Sequence, residues 1–226
     1  TTATVVALVN GRLLVVANVG DSEALLGGTM PDGSVGYEAL CADHSPSNVD
    51  EFIRVAKLTP RRPDDFQPAL FAYDVPDSPW VEIFEVSDNG EVDVNAEAAE
   101  LVEARGLGFK TARGDRPTAL VALESERFPE QKLGMTRAIG DFYMQWYGAT
   151  WEPAVSVIDL LDVASQLQHV TLVLGSDGLW DLWTYSDVLK YPLAAPPARR
   201  GQDMLAPLDE LVEVTRQQGE ELFEEP

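Results

Sequence analysis

The sequence predicts an α+β domain in which antiparallel sheets are covered by helices. Three observations favour this class: strand-forming runs crowd the first 41 residues, a buried-looking strand returns late in the chain, and the last part is helical in pattern. Buried strands followed by terminal helices are typical of layered folds in which helices pack on sheets. At 226 residues, the chain has the length of one large domain rather than of two small ones.

Six strand-forming runs end at turn signals, and they lie at residues 4–9, 13–19, 23–26, 37–41, 155–158 and 170–174. The first run, T-V-V-A-L-V, shows no alternation of polar and apolar side chains, which is typical of a strand buried on both faces. Asn10-Gly11 is a strong hairpin signal, and a Pro-Asp-Gly turn follows at residues 31–33. The first four strands are therefore predicted to form an antiparallel meander.

Capping residues and apolar periodicity predict four helices, at residues 47–58, 96–105, 185–190 and 208–223. In the first, Ser47 can cap the helix and Asp50 and Glu51 lie in the first turn. The second ends before Gly106. The last two are separated by a loop containing proline and arginine at residues 192–200. Prolines interrupt the pattern over about residues 59–130, which indicates an elaborated surface subdomain.

Composition excludes several classes of function. The net charge of −22 argues against a nucleic-acid partner, and no apolar run is long enough for a membrane span. Cys41 is the only cysteine, which precludes an internal disulfide and favours an intracellular, cytoplasmic or nuclear location. With only two histidines besides, a Cys/His zinc site is excluded. Any metal would be held by oxygen, which favours Mg²⁺, Mn²⁺ or Ca²⁺.

Two predicted strands end in an aspartate that follows small residues: N-V-G-D at Asp21 and V-L-G-S-D at Asp177. Small residues leave the backbone room to turn, so both carboxylates can project from the end of a sheet. If a helical turn begins at Asp177, Asp181 lies on the same face four residues later. A bound cation would relieve the repulsion between these carboxylates. Alternatively, Asp177 and Asp181 cap a short helix, where negative charge is also favourable.

Four segments, in this order, resemble the type-2C metal-dependent Ser/Thr protein phosphatases. They are T-A-T-V-V-A-L with L-V-V-A-N-V-G-D-S at residues 2–22, A-D-H-S-P followed by Glu51 and Arg54, L-G-M-T-R-A-I-G-D-F at 133–142, and V-L-G-S-D-G-L-W-D at 173–181. The resemblance implies a four-layer α-β-β-α sandwich of two mainly antiparallel sheets flanked by helices, incomplete at both ends. Residues 1–226 would form one such partial domain, with an enlarged flap-like insertion at about 59–130.

The resemblance also implies a reaction. In this family each site holds two or three Mg²⁺ or Mn²⁺ ions, and two of them activate a water molecule that attacks the phosphorus of phosphoserine or phosphothreonine in a phosphoprotein substrate. Asp177 matches a ligand of the dinuclear centre, and Asp21 and Asp181 match ligands of a third, weaker metal. No catalytic residue is matched beyond these three. The residues expected to support the site are Gly20, Ser22, Arg137, Asp141 and Gly178. His44 is expected to form structural hydrogen bonds.

The chain also departs from the family pattern. Glu23 stands where an arginine is usual after G-D-S, and the family segments R-x-x-x-E-D, D-G-H-G-G and D-N-x-T do not occur. These segments would supply further metal ligands, a phosphate-binding arginine and the acid histidine, so we expect the chain to be a partial record of a longer enzyme and to be inactive by itself. Two alternatives stay open: a non-catalytic type-2C-like module that binds a regulatory partner, and an acidic cation-binding protein unrelated to phosphatases.

Overall fold

The computed structural model describes residues 1–58, 67–76, 78–125, 128–194 and 205–223. In chain order the strands are β1 (Ala3–Val9), β2 (Leu13–Val19), β3 (Glu23–Thr29), β4 (Val35–Ala39), β5 (Leu70–Tyr73), β6 (Val81–Glu82), β7 (Phe84–Val86), β8 (Val92–Val94), β9 (Thr118–Ala122), β10 (Gln131–Leu133), β11 (Ala154–Asp159) and β12 (Gln168–Gly175). The helices are α1 (Val49–Ala56), α2 (Ala96–Ala104), α3 (Phe142–Tyr147), α4 (Leu160–Ala164), α5 (Asp177–Trp180), α6 (Tyr185–Ala194) and α7 (Leu205–Phe223).

Two antiparallel three-stranded sheets pack face to face. The first has the strand order β1-β2-β11 and the second has the order β12-β3-β4. Leu14 and Val16 of β2 meet Ala24 and Leu26 of β3 in the core between them. Every second residue of β2 points into this core, because successive side chains of a strand alternate between its two faces. The predicted α+β class with antiparallel sheets is therefore confirmed.

A helical layer covers the second sheet. Leu25 and Val173 on its outer face pack against Val188 and Leu189 of α6. The helix approaches closely at Gly27, where an added Cβ would lie 2.4 Å from a Leu189 methyl carbon. The predicted helices 185–190 and 208–223 are thus confirmed as α6 and α7. Helix α6 runs on to Ala194, three residues into the predicted loop, and residues 195–200 of that loop lie outside the described part of the chain.

The first sheet carries an exposed apolar surface. Val5 of β1 and Val155 and Val157 of β11 are each 61% exposed on its outer face. The prediction that residues 4–9 form a strand buried on both faces is therefore wrong for the described residues. An apolar run without alternation shows that both faces of a strand are apolar, and it does not show that both are covered.

The prediction that the first four strands form one antiparallel meander is also wrong, because β2 and β3 are not neighbours in one sheet. Strand β2 belongs to the first sheet and β3 to the second, so the chain crosses between sheets at residues 20–22. The N-cap of helix α1 lies one residue later than predicted: Asn48, not Ser47, accepts the hydrogen bond from the Asp50 N–H. Its side-chain amide also donates to the Asp43 carbonyl, which fixes Asn48 in the capping position.

Residues 67–133 contain a sheet of their own. It has the order β10-β9-β5-β6, with the β7-β8 hairpin beside it. Phe71, Leu120 and Ile83 form its core together with Val55 of α1 and Met144 of α3. None of these short strands was predicted, because prolines and turn residues obscure their pattern. None of the described helices has the length and apolar character that a membrane-spanning helix requires.

Candidate metal centre

Strand pairing brings Asp21 and Asp177 to the same end of the sandwich. Glu23, the first residue of β3, is the register partner of Gly175, the last residue of β12. The chain enters β3 from Asp21, two residues before Glu23, and leaves β12 toward Asp177, two residues after Gly175. Because the two strands are antiparallel, both aspartates lie at one edge of the sheet, as the sequence predicts.

The turn before Asp21 is held in an unusual backbone conformation. Gly20 has φ +94°, and an added Cβ would lie 2.3 Å from the Thr2 methyl carbon, so only glycine fits here. The Asn18 side chain donates to the Gly20 carbonyl at 2.9 Å. On the other side of Asp21, Ser22 shares a 2.8 Å hydroxyl hydrogen bond with Thr2. These contacts fix the direction in which the chain passes Asp21.

His44 supports the same turn from the interior. The Gly20 N–H donates to His44 Nδ1 at 3.2 Å, and the His44 carbonyl accepts from the backbone N–H of Thr136. The side chain is 2% exposed, and burial, aided by the nearby Arg137 charge, lowers the pKa of its imidazole. A buried neutral ring that accepts a backbone N–H is a structural element of the turn.

Helix α5 sets the spacing of the second aspartate pair. The Asp181 N–H donates to the Asp177 carbonyl at 2.8 Å, which places the two residues one helical turn apart, as predicted. The Gly178 N–H donates to a carboxylate oxygen of Asp177 at 2.9 Å. Asp177 is exposed. Ser176 is the N-cap residue and makes no side-chain capping hydrogen bond, so Asp177 lies in the first turn of α5. Its contact with Gly178 leaves the second carboxylate oxygen able to bind a ligand.

Asp21 and Asp181 converge on one cation, the ammonium group of Lys110. Its Nζ lies 3.7 Å from Asp21 Oδ2 and 3.6 Å from Asp181 Oδ2. Burial is the largest influence on the pKa of the Asp181 carboxyl group, and it raises that pKa. The Lys110 charge lowers it, and the charges of Asp177 and Asp21 raise it further. The charges of Asp21 and Asp177 therefore act on Asp181, and a positive charge already lies between Asp21 and Asp181.

These residues fit a hard divalent cation in chemistry. Carboxylate oxygens are the ligands that Mg²⁺ and Mn²⁺ prefer, and the Lys110 ammonium marks a point where a cation lies between Asp21 and Asp181. The described residues contain no group of three or more His, Cys, Asp or Glu that is ready to hold a metal. The assignment of Asp177, Asp21 and Asp181 as metal ligands stays a prediction.

Lys110 belongs to a loop, residues 110–116, that is anchored beside the aspartates; we call it the 110–116 loop. The Ala112 N–H donates to the Asp181 carbonyl at 2.8 Å. Arg113 donates to the Trp180 carbonyl at 2.7 Å and to Glu23 at 3.1 Å. Sequence reasoning missed this loop, although three of the chain's 16 basic residues fall within its seven positions.

The same loop accounts for the charge at Glu23. Its carboxylate accepts hydrogen bonds from Arg113 and from the Tyr185 hydroxyl. Burial is the main cause that raises the pKa of Glu23, and these two partners oppose it. The acidic residue at a position where related sequences carry arginine is thus paired with an arginine from the 110–116 loop.

A cavity of about 310 Å³ opens between this loop and the ends of the strands. Its charged and hydroxyl-bearing walls include Asp21, Asp181, Lys110, Arg116 and Ser45. Acidic and basic side chains therefore face one enclosed space beside the predicted metal ligands.

Arg137 and Asp141 lie outside the walls of this cavity. Arg137 forms an ion pair with the buried Glu51 of α1 and donates to the Glu152 carbonyl at 2.9 Å. Asp141 adopts φ +49° immediately before α3. Arg137 thus joins α1 to the segment 134–141, and its role in supporting the site stays a prediction.

Comparisons with known proteins agree with the motifs. The family model described as Protein phosphatase 2C matches residues 1–64 and 121–191, which leaves out the 110–116 loop. Two curated proteins of Arabidopsis thaliana are each 29% identical to the chain: Probable protein phosphatase 2C 61 over 188 residues and Probable protein phosphatase 2C 72 over 185 residues. These matches cover 83% and 82% of this chain but 41% and 40% of the relatives, so the chain spans about two fifths of their length.

A solved structure matches the fold. The crystal structure of serine-threonine phosphatase 2C from Toxoplasma gondii aligns with a TM-score of 0.55 and 20% identity, over 97% of this chain and 54% of that chain. At this identity the match shows a common fold. It fits the sheet-on-sheet packing described above.

Proposed function

Because the chain belongs to the protein phosphatase 2C family, we propose that the intact protein hydrolyses phosphoserine and phosphothreonine in protein substrates with the help of Mg²⁺ or Mn²⁺. The observation that carries this proposal is the convergence of Asp21 and Asp181 on one cationic position, with Asp177 one helical turn away. The three are carboxylates with little backbone freedom, as a metal site requires.

The residues of this chain would hold and orient the cations. When bound, divalent cations lower the pKa of water and neutralise the oxygens of a phosphate group. The turn at Gly20 fixes the backbone direction at Asp21, and helix α5 holds Asp177 and Asp181 one helical turn apart. The cavity beside them, with Lys110 and Arg116 in its walls, offers positive charge to a phosphorylated side chain.

An assay of the intact protein on a phosphothreonine peptide with Mn²⁺ tests the proposal. We expect phosphate release that stops when the metal is chelated and returns when Mn²⁺ is added back. Activity that persists under strong chelation, or no activity at any Mn²⁺ concentration, would contradict the proposal.

A second candidate, a non-catalytic module that binds a partner protein, is favoured by one observation. The Lys110 ammonium already offsets part of the negative charge of Asp21 and Asp181, which reduces the need for a metal at this pair. The two candidates differ in a direct binding experiment. The phosphatase binds Mn²⁺ through Asp177, whereas the non-catalytic module keeps its fold and shows no Mn²⁺ binding that depends on Asp177.

A further inference from the structure

Lys110 reaches the aspartate pair from a part of the chain that the family model leaves unmatched. Its ammonium group lies within 4 Å of both Asp21 and Asp181, although the side chain is still 38% exposed. The two carboxylates are 25% and 28% exposed. The ammonium group of Lys110 is therefore a partly exposed counter-ion of Asp21 and Asp181 in the wall of the cavity.

The position of Lys110 does not depend on its own charge. The 110–116 loop is held by the Ala112 hydrogen bond to Asp181 and by the Arg113 contacts with Trp180 and Glu23. Within the loop, the Lys110 N–H donates to the Asp115 carbonyl at 2.7 Å. Thr111 is buried and donates its hydroxyl to the Asp115 carboxylate at 2.6 Å. The backbone therefore stays in place when the lysine side chain moves.

A divalent cation and the ammonium group would compete for the same two carboxylates. A metal bound to Asp21 and Asp181 would lie close to the Lys110 Nζ, which is 3.7 Å and 3.6 Å from one oxygen of each carboxylate. Two positive groups that are close together repel each other, and the repulsion is stronger in a partly buried cavity than in open water. Binding of the metal is therefore favoured when the lysine side chain moves away.

We infer that Lys110 is an internal counter-ion that competes with a divalent cation for Asp21 and Asp181. Binding of the metal favours movement of the lysine side chain toward solvent while the 110–116 loop stays docked. Lys110 thereby sets how much Mg²⁺ or Mn²⁺ is needed to fill this site. The inference rests on the metal site of the proposed function, and the loop adds to it a residue that tunes metal affinity.

Titration of the intact protein with Mn²⁺ tests the inference, with free Mn²⁺ measured by its electron paramagnetic resonance signal. The variants are Lys110→Gln, which removes the competing charge, and Lys110→Arg, which keeps it. Lys132→Gln is the matched control, because Lys132 forms an ion pair with Asp74 away from the cavity. Asp181→Asn identifies the affected site.

We expect Lys110→Gln to lower the Kd of the weakest Mn²⁺ site by about three- to tenfold, the range that loss of one or two partly exposed ion pairs would produce. Lys110→Arg and Lys132→Gln should change this Kd by less than about twofold. The double variant Lys110→Gln with Asp181→Asn should lose the site.

Two outcomes overturn the inference in distinguishable ways. If Lys110→Gln binds Mn²⁺ no more tightly than the wild type while Asp181→Asn still loses a site, Lys110 is not a competitor and the metal site of the proposed function stands. If neither the wild type nor Lys110→Gln binds Mn²⁺, the metal site itself is refuted and the inference with it. A thermal melt of each variant checks that the fold is intact.

Discussion

At the scale of single residues, Glu51 is a buried charge outside the cavity. It is 4% exposed and accepts hydrogen bonds from Arg54, Arg137 and Thr136. Burial alone would raise the pKa of this carboxyl group, but the bonds from Arg137, Thr136 and Arg54 outweigh it and hold the pKa at about 2. The ionised carboxylate thus joins α1 to the segment 134–141.

Replacement of Glu51 by Gln should lower the free energy of unfolding by about 3 kcal/mol at pH 7, because two arginines lose a buried partner. The folded-state pKa is depressed, so the stabilisation is complete above the ordinary carboxyl pKa of 4.5 and is lost as pH falls through about 2. Urea denaturation from pH 7 to pH 2 measures this. The difference in the free energy of unfolding between the wild type and Glu51→Gln should become smaller below about pH 4.5. The exposed Glu85→Gln variant is the control, and an equally large loss there would contradict the assignment.

A substitution at Asp177 tests whether this residue binds a metal or only stabilises the start of helix α5. Asp177→Asn keeps the acceptor for the Gly178 N–H and removes the charge that a hard cation requires. We expect activity of the intact protein to fall by roughly two orders of magnitude or more, since a lost metal removes several kcal/mol of transition-state stabilisation. The melting temperature should hardly change, because the side chain is exposed.

Two comparisons complete the Asp177 experiment. Asp181→Asn should reduce activity less and should mainly change its Mn²⁺ dependence, and the exposed Asp93→Asn should change nothing. If Asp177→Asn unfolds the domain while the folded fraction keeps its specific activity, Asp177 is only a first-turn residue that stabilises the start of α5.

The sequence indicated the three aspartates of this candidate site but not Lys110. Asp21 and Asp177 were singled out because small residues precede each aspartate at the end of an apolar run, and Asp181 because it lies four residues after Asp177. Lys110 has no such pattern, since its role depends on a loop about 90 residues away from Asp21 along the chain. The one local signal that could have identified Lys110 is the concentration of basic residues at 110–116 in an acidic chain.

At the scale of elements, the 110–116 loop and the start of β3 form a coupled pair. Arg113 contacts Glu23 and lies 4.6 Å from the centre of the Tyr185 ring. Both charged side chains are about four-fifths buried, at 21% and 19% exposure. Their ion pair therefore carries more weight than a pair on the open surface.

A charge-swap cycle measures this coupling. Glu23→Arg and Arg113→Glu should each lower the free energy of unfolding by about 2 kcal/mol or more, because each leaves two like charges in a largely buried contact. The double swap should recover about 1–2 kcal/mol relative to the sum of the single changes. Denaturant unfolding of the four proteins gives the coupling energy. Strict additivity would show that the loop and β3 are independent.

Elements with a strong periodic or apolar pattern were predicted, and those without one were missed. Helices α1, α6 and α7 and strands β2 and β12 follow from local sequence. Strands β6, β7 and β8 have two or three residues each, too few for any pattern, and their pairing is fixed by the tertiary core around Ile83 and Phe84.

At the scale of the whole molecule, we expect residues 1–226 by themselves to show no measurable turnover of a phosphothreonine peptide at any Mn²⁺ concentration. A dinuclear centre needs several oxygen ligands, and the chain matches only Asp177 of that set. The comparison is with the intact protein at equal concentration, with circular dichroism to show that the shorter chain is folded. Turnover by the shorter chain would mean that other residues complete the site.

The crossing from β2 to β3 at Gly20 has a consequence for the time course of folding. Leu13 of β2 pairs with Asp159 of β11, and Glu23 of β3 pairs with Gly175 of β12. Contacts so distant along the chain are costly in loop entropy and form late. At a synthesis rate of roughly 5–20 residues per second, the first hairpin waits on the order of ten seconds for its partner strands. During that interval its unpaired edges and exposed valines are available to a chaperone or to another nascent copy.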